Sequence, residues 1–358
     1  MSFKFGTIFI THVFGESHGT CVGAVVEGCP PGLTLETRDV QEELDKRRPG
    51  RSPYVTPRRE KDTVAIESGI YRGVTTGAPI LMRIENRDVD DSVYERFTQT
   101  PRPGHADLTA RAKYHGHHDH RGGGIFSGRM TAALVMAGAV ARKVLAMHGI
   151  TVCAHLVQMG NVRVRDDLSD EEIKEIPYTN PFHCADEDAI APMRETLERA
   201  MAERDSVGAR IECRVCNMPM GIGEPFFDSV ESVVSHAIFS VPGVKGISFG
   251  CGFDAVTMRG SECNDPYGVR GGRVVTEKND AGGVLGGLTN GMPVIFDVAL
   301  KPTPSIGREQ RTVDLATMEE TTMAIEGRHD PCIGIRAVPV IEHVTTMAMA
   351  DLVRRASL

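Results

Sequence analysis

Residues 127–148 read SGRMTAALVMAGAVARKVLAMH, from Ser127 to His148. The run contains no proline and is followed by Gly149, a residue suited to the left-handed turn that closes a helix. It predicts one long helix. As far as Ala141 the run is apolar almost all round. A surface helix keeps a polar face, so a helix without one is buried on every side. The rest of the chain supplies material to bury it. Ala209 to Cys216, Val244 to Gly250 and Met292 to Leu300 read as strands. Thr37 to Arg48, with Thr37 as N-cap, Asp186 to Arg204, Asp228 to Phe239 and Pro339 to Arg355 read as helices. Ser169-Asp170-Glu171-Glu172 is a capping box that opens a short helix. Strands and helices do not alternate regularly, and no G-x-G-x-x-G follows a strand, which argues against a parallel dinucleotide-binding sheet. The expected class is α+β with a buried helical layer, as a single domain over residues 1–358.

The bulk composition narrows the function. With 41% hydrophobic and 25% charged residues the chain is an ordinary globular protein, neither disordered nor fibrous. A net charge of −8 disfavours nucleic acid and anionic membrane as partners. An anionic ligand must then be held by local clusters of Arg and Lys. Met1 to Thr11 lacks the apolar core of a signal peptide, and the longest apolar uncharged stretch, Met130 to Ala141, is too short to span a bilayer. A cytoplasmic protein is expected. The nine cysteines are scattered, with one C-x-x-C from Cys213 to Cys216. In a strand, residues three apart face opposite sides, and no second pair completes a zinc site, so no metal is expected. Free thiols suit a reducing compartment.

Four segments combine glycine, histidine and charge in ways a packing core does not need. Gly15-Glu16-Ser17-His18-Gly19 places a serine and a titratable histidine between glycines, where a ligand can approach. On its own it is equally a turn with a surface histidine. In Arg102-Pro103-Gly104-His105-Ala106-Asp107 the aspartate either orients the His105 ring or caps the turn. Arg121-Gly122-Gly123-Gly124-Ile125-Phe126-Ser127-Gly128-Arg129 feeds glycines into a helix start, whose free N–H groups attract anions. Glu326-Gly327-Arg328-His329-Asp330-Pro331-Cys332 sets a cation, a histidine and a carboxylate side by side. Beside these, Lys46, Arg47, Arg48, Arg51, Arg58 and Arg59 form a cationic stretch broken by Pro49-Gly50. It reads as a solvated charge run, unless the substrate is rich in carboxylate and phosphate, which Arg grips bidentately. The histidines from His115 to His120 have no carboxylate or cysteine partner apparent elsewhere in the sequence.

Taken in order, these segments resemble the chorismate synthase family. The resemblance spans nearly the whole chain: GESHG at Gly15, RRPG at Arg47, TTGAPI at Thr75, RPGHAD at Arg102, RGGG at Arg121, VKG at Val244, AGGVLGG at Ala281, LKPTPSI at Leu300 and GRHDPCIGIRAVPV at Gly327. It implies an α+β core of helices packed between β-sheets, assembled as a homotetramer. It implies an FMNH2-dependent anti elimination of phosphate from 5-enolpyruvylshikimate 3-phosphate, a small-molecule substrate, with NADPH as a candidate reductant because some members reduce their own flavin. Under it His18 is the proton donor to the leaving phosphate and His105 serves the reduced flavin. Asp330 relays a proton, and Ser17 and Ser127 complete the network. Arg47, Arg48, Arg58, Arg59, Arg102, Arg129 and Arg328 bind substrate. Ser127, Pro242, Gly243, Gly286, Lys301, Pro302, Thr303, Pro304, Ser305 and Arg328 match flavin contacts. The chain departs from the common family pattern at Ile125, Pro53 and Asp280.

Overall fold

The computed structural model describes residues 3–48, 62–87, 94–325 and 330–356. Two five-stranded antiparallel sheets enclose a layer of helices. The first sheet runs in the order Lys4–Phe5, Ile10–Gly15, Cys21–Glu27, Ile80–Glu85, Val64–Ile66. The second runs Val244–Phe249, Val294–Leu300, Ala209–Cys216, Thr151–Met159, Val162–Arg163. The helix Thr131–Ala146 touches strands of both sheets and packs along the helix Gly334–Arg355. Of its sixteen residues all but Leu134, Arg142, Lys143 and Ala146 are buried, as its apolar circumference demands. One hydrophobic cluster draws on residues from Phe9 to Val353.

The two central helices approach closely at Gly138. A Cβ there would lie 2.4 Å from the Cβ of His343 and 2.7 Å from its carbonyl oxygen, so only glycine fits. Several polar groups in this layer are paired. Glu342 accepts from Arg142, from the Tyr178 hydroxyl at 2.9 Å and from the Ala154 N–H at 3.1 Å, and Glu43 accepts from Lys46 at 2.7 Å. Near the end of the long helix, the buried Asp351 carboxylate accepts from the N–H groups of Thr7, Ile8 and Phe9 at 2.8, 2.7 and 3.0 Å.

Several element boundaries differ from the sequence reading, each for a local reason. Ser127 does not begin the α-helix. It caps a 3-10 turn, Gly128–Met130, by accepting from the Arg129 N–H, and the α-helix starts at Thr131. The Gly128 carbonyl is taken by the Thr131 hydroxyl and the Arg47 guanidinium. Glu36, not Thr37, is the N-cap of Thr37–Arg47, with Asp39 accepting from its N–H at 2.8 Å. The last helix starts at Gly334 and continues through Pro339. Proline lacks the N–H that should reach the carbonyl four residues back. Here the Ile335 carbonyl accepts from His183 Nδ1 at 2.9 Å instead. The strand Ala209–Cys216 matches the reading, with Cys213 buried and Cys216 partly exposed, and all nine cysteines are free.

Candidate active site

The strand Ile10–Gly15 delivers the loop that carries Ser17 and His18, and this loop meets the Gly122–Gly124 run. The Ser17 N–H donates to the Gly124 carbonyl at 3.2 Å. All three glycines have left-handed φ values of 60°, 84° and 52°. A Cβ on Gly122 would lie 2.3 Å from the His18 ring and 2.7 Å from Ser17 Oγ. One on Gly123 would lie 3.5 Å from the His105 ring and 3.7 Å from the Ser127 Cβ. Bare backbone thus separates Ser17 and His18 from His105 and Ser127. Ser17 and His18 are buried, and Ser17 Oγ has no hydrogen-bond partner among the described residues. A buried hydroxyl without a partner is uncommon. Tyr94 packs edge-on against His18, ring centres 5.1 Å apart.

The Arg102–Asp107 turn holds His105 rigidly. Asp107 accepts from Arg102 Nε and Nη2 at 2.8 Å each and from His105 Nδ1 at 2.6 Å. Burial pushes the Asp107 carboxyl up, but the Arg102 and His105 hydrogen bonds outweigh it and hold it well below the usual range. An ionised carboxylate only accepts, so the proton on His105 is assigned to Nδ1. Nε2 then faces the glycine run, 3.6 Å from where a Gly123 Cβ would stand. Arg102 also lies over the Phe97 ring at 4.4 Å. Lys301 Nζ donates to the Gly104 carbonyl at 2.5 Å, and its backbone N–H donates to Gly243 at 2.9 Å. Pro304 packs against Gly104. The segment from Lys301 to Ser305, with Pro302 and Thr303 between, therefore joins the Pro242–Gly243 turn to the His105 turn.

A buried carboxylate that the sequence reading passed over organises the cations. Asp62 accepts from Arg47 at 3.2 Å through one oxygen and from Arg129 through the other. Arg47 also reaches the Thr131 hydroxyl at 2.9 Å, and both guanidiniums are almost fully buried. Arg129 Nε donates to Asn86 Oδ1 at 2.9 Å. The Asn86 amide in turn donates to the carbonyls of Glu16 and Gly19 at 2.9 and 2.8 Å. One asparagine thus ties the His18 loop to the Arg129 cation. Asp330 accepts from Arg336 at 2.8 Å, and Arg336 Nε donates to the Arg47 carbonyl. Thr303 donates to the Asp330 carbonyl at 2.7 Å.

Most of the residues singled out in the sequence are therefore linked by direct contacts. Gly286 is an exception. It sits in a small hairpin, Val284–Leu285 with Leu288–Thr289, whose next residue, Gly287, packs against Glu224, Ser229 and Val230. Arg48 is about one-third exposed and pairs with Asp45 at 3.4 Å. Arg58, Arg59 and Arg328, with Pro53, lie outside the described residues. Asn86, Asp62 and Arg336 carried no signal, because a lone polar residue acquires a role only from what the fold sets beside it. Among the described residues the group with metal-like spacing is Glu43, Glu342 and His343, in the helical layer rather than here. No described helix is long and apolar enough to cross a membrane.

Comparison with known proteins gives one family. The family model for chorismate synthase matches residues 9–353. A chorismate synthase of Korarchaeum cryptofilum is 48% identical over 343 residues, covering 96% of this chain and 95% of its own. One of Aeropyrum pernix is 49% identical, covering 97% and 91%. A crystal structure of chorismate synthase superposes with a TM-score of 0.78 at 26% identity, covering 98% of this chain and 93% of that one. The chain belongs to the chorismate synthase family of carbon–oxygen lyases.

Proposed function

We propose that this chain converts 5-enolpyruvylshikimate 3-phosphate to chorismate by anti elimination of phosphate and a proton, with reduced FMN as a cofactor that is unchanged overall. The observation that carries the reading is the bare Gly122–Gly124 backbone between Ser17–His18 and His105–Ser127, with Ser17 Oγ buried and without a hydrogen-bond partner among the described residues. The residues present fit a flavin: small backbone at Gly243, a cation at Lys301, and the buried Ser305. Bound FMNH2 supplies electron density that assists cleavage of the carbon–oxygen bond. His18 gives a proton to the departing phosphate, an acid step of a kind worth roughly 10²–10⁴ in rate. His105, its ring fixed by Asp107, presents Nε2 as a hydrogen-bonding atom toward the cofactor. Asp330, steadied by Arg336, relays the proton that the elimination releases. Arg47 and Arg129, gripped by Asp62, form the cationic wall against the substrate's carboxylates and phosphate. Arg102 is proposed to act through Asp107, since its Nε and Nη2 both donate to that carboxylate.

Assembly as a homotetramer is part of the same reading. It is supported by Phe226, Phe227, Phe253 and Val256, each more than four-fifths exposed, which a partner subunit would cover. NADPH as reductant and a cytoplasmic location also belong to the proposal. The deciding experiment is an anaerobic assay of chorismate formation with chemically reduced FMN, oxidised FMN or no flavin. Turnover is expected with reduced FMN alone, and full activity without flavin would overturn the proposal.

A further inference from the structure

The outer face of the second sheet holds a cavity of about 90 Å³ that shares no lining residue with the candidate active site. Its floor is a row across three strands, His155 opposite Glu212 and Glu212 opposite Asp297. Alternation along the strand puts Arg210 and Arg214 on the same face as Glu212, one to each side. Val152, Ala154 and Leu156 turn the other way, into the core. His155 faces outward yet is only 1% exposed, because residues 163–168 and Ile173 close over it.

Most of the floor is paired. Arg210 donates to Asp297, and Arg214 Nε donates to Glu212 at 2.6 Å. His155 is different. Its Nε2 lies 3.5 Å from Glu212 Oε1 without hydrogen-bond geometry, and neither ring nitrogen has a hydrogen-bond partner among the described residues. Asp297 Oδ1 is likewise buried and unpartnered. At the rim, the exposed Arg163 makes no ion pair among the described residues. The other lining arginines are engaged, Arg165 with Asp167 and Glu172 and Arg214 with Asp170 as well as Glu212, which leaves Arg163 as the cation at the rim available to a guest. Buried polar atoms in native proteins are nearly always satisfied, so this set of unmet groups describes a guest.

We propose that the cavity binds a small oxyanion, a phosphate or carboxylate group that also carries an O–H or N–H. His155 donates to the anion, Arg163 balances its charge, and Asp297 Oδ1 accepts from its donor. Hydrogen phosphate and hydroxy-carboxylates both have this chemistry. The test is calorimetric titration of the full-length protein with inorganic phosphate and, separately, with glycolate. At least one arm should show a saturable site that Arg129→Ala leaves in place and that Arg163→Ala weakens about tenfold or more, the effect of one charge-assisted contact. Arg163 is on the surface, so its loss does not threaten the fold. His155→Gln, which keeps a donor, should retain affinity that His155→Leu loses. Binding of phosphate alone assigns a phosphate guest, and binding of glycolate alone a hydroxy-carboxylate. Absence of such a site in both arms, or a site indifferent to Arg163→Ala, overturns the proposal.

Discussion

Asp62 changes what the arginine cluster predicts. In the sequence, Arg47 and its neighbours look like solvated charge. In the fold, Arg47 and Arg129 are the counter-ions of one fully buried carboxylate. Removing one partner of such a group leaves the charge uncompensated, at a cost of roughly 3–5 kcal/mol. Arg129→Ala should therefore lower thermal stability as well as raise KM. Adding Asp62→Asn should recover much of the stability while KM stays high. Melting and steady-state kinetics on the single and double variants separate the two effects, and a KM restored along with stability would mean that Arg129 only serves the fold. Asp330 calls for a different signature. Asp330→Asn keeps the shape and the contact to Arg336 but removes the proton acceptor, so kcat should fall by about 10²–10⁴ with little change in flavin affinity. Loss of flavin binding with near-normal kcat would make it a binding residue. At this scale the sequence disclosed the residues whose type is itself unusual, such as His18 among glycines. It concealed Asn86 and Asp62, whose chemistry is common and whose shared partner Arg129 lies 43 and 67 positions further along the chain.

Two glycines in different elements allow a matched comparison. At Gly138 an added methyl meets the backbone and Cβ of His343, so the helices must part. At Gly122 it meets the His18 ring and Ser17 Oγ. Gly138→Ala should cost about 1–3 kcal/mol of stability, the range for overpacking a tight core, and leave kcat of the folded fraction near normal. Gly122→Ala should do the reverse, with activity lost and most of the stability kept, less a local strain from its positive φ. Equal loss of activity in both, measured against folded protein, would refute the assignment of the glycine run. The buried helix was legible because apolarity all round admits few arrangements. The true start of the last helix was not. Pro339 reads as a helix beginning, and it is His183, over 150 residues earlier, that satisfies the carbonyl the proline frees.

For the molecule as a whole, acid should unfold the protein through its paired carboxylates. Burial alone would raise the Glu212 carboxyl, but His155 and Arg214 bring it down to about 2. Glu43 and Asp107 are held lower still by their histidine and cationic partners. A carboxyl with a depressed folded value contributes stability above its unfolded value, and that contribution is lost as pH falls toward the folded one. Stability should thus decline from about pH 4.5 toward about pH 2. Asp297, raised mainly by burial, works in the opposite direction and relaxes as it protonates. A melting temperature flat across that window would contradict the pairing. The layered class was readable in the sequence, but the strand order was not, since pairing across a sheet depends on contacts that no local pattern encodes.

The carboxylate of Asp351 gives this architecture a direction in time. It satisfies three backbone donors at Thr7, Ile8 and Phe9, between the paired strands Lys4–Phe5 and Ile10–Gly15. Its helix, Gly334–Arg355, also fills the space between sheets that are both translated before it. A growing chain therefore completes its second sheet only at Leu300, and the helix that packs on that sheet's inner face follows later still, at Gly334–Arg355. The Thr7–Phe9 contact waits for a residue more than three hundred positions downstream, so it belongs to a late step in the chain's folding as it is made.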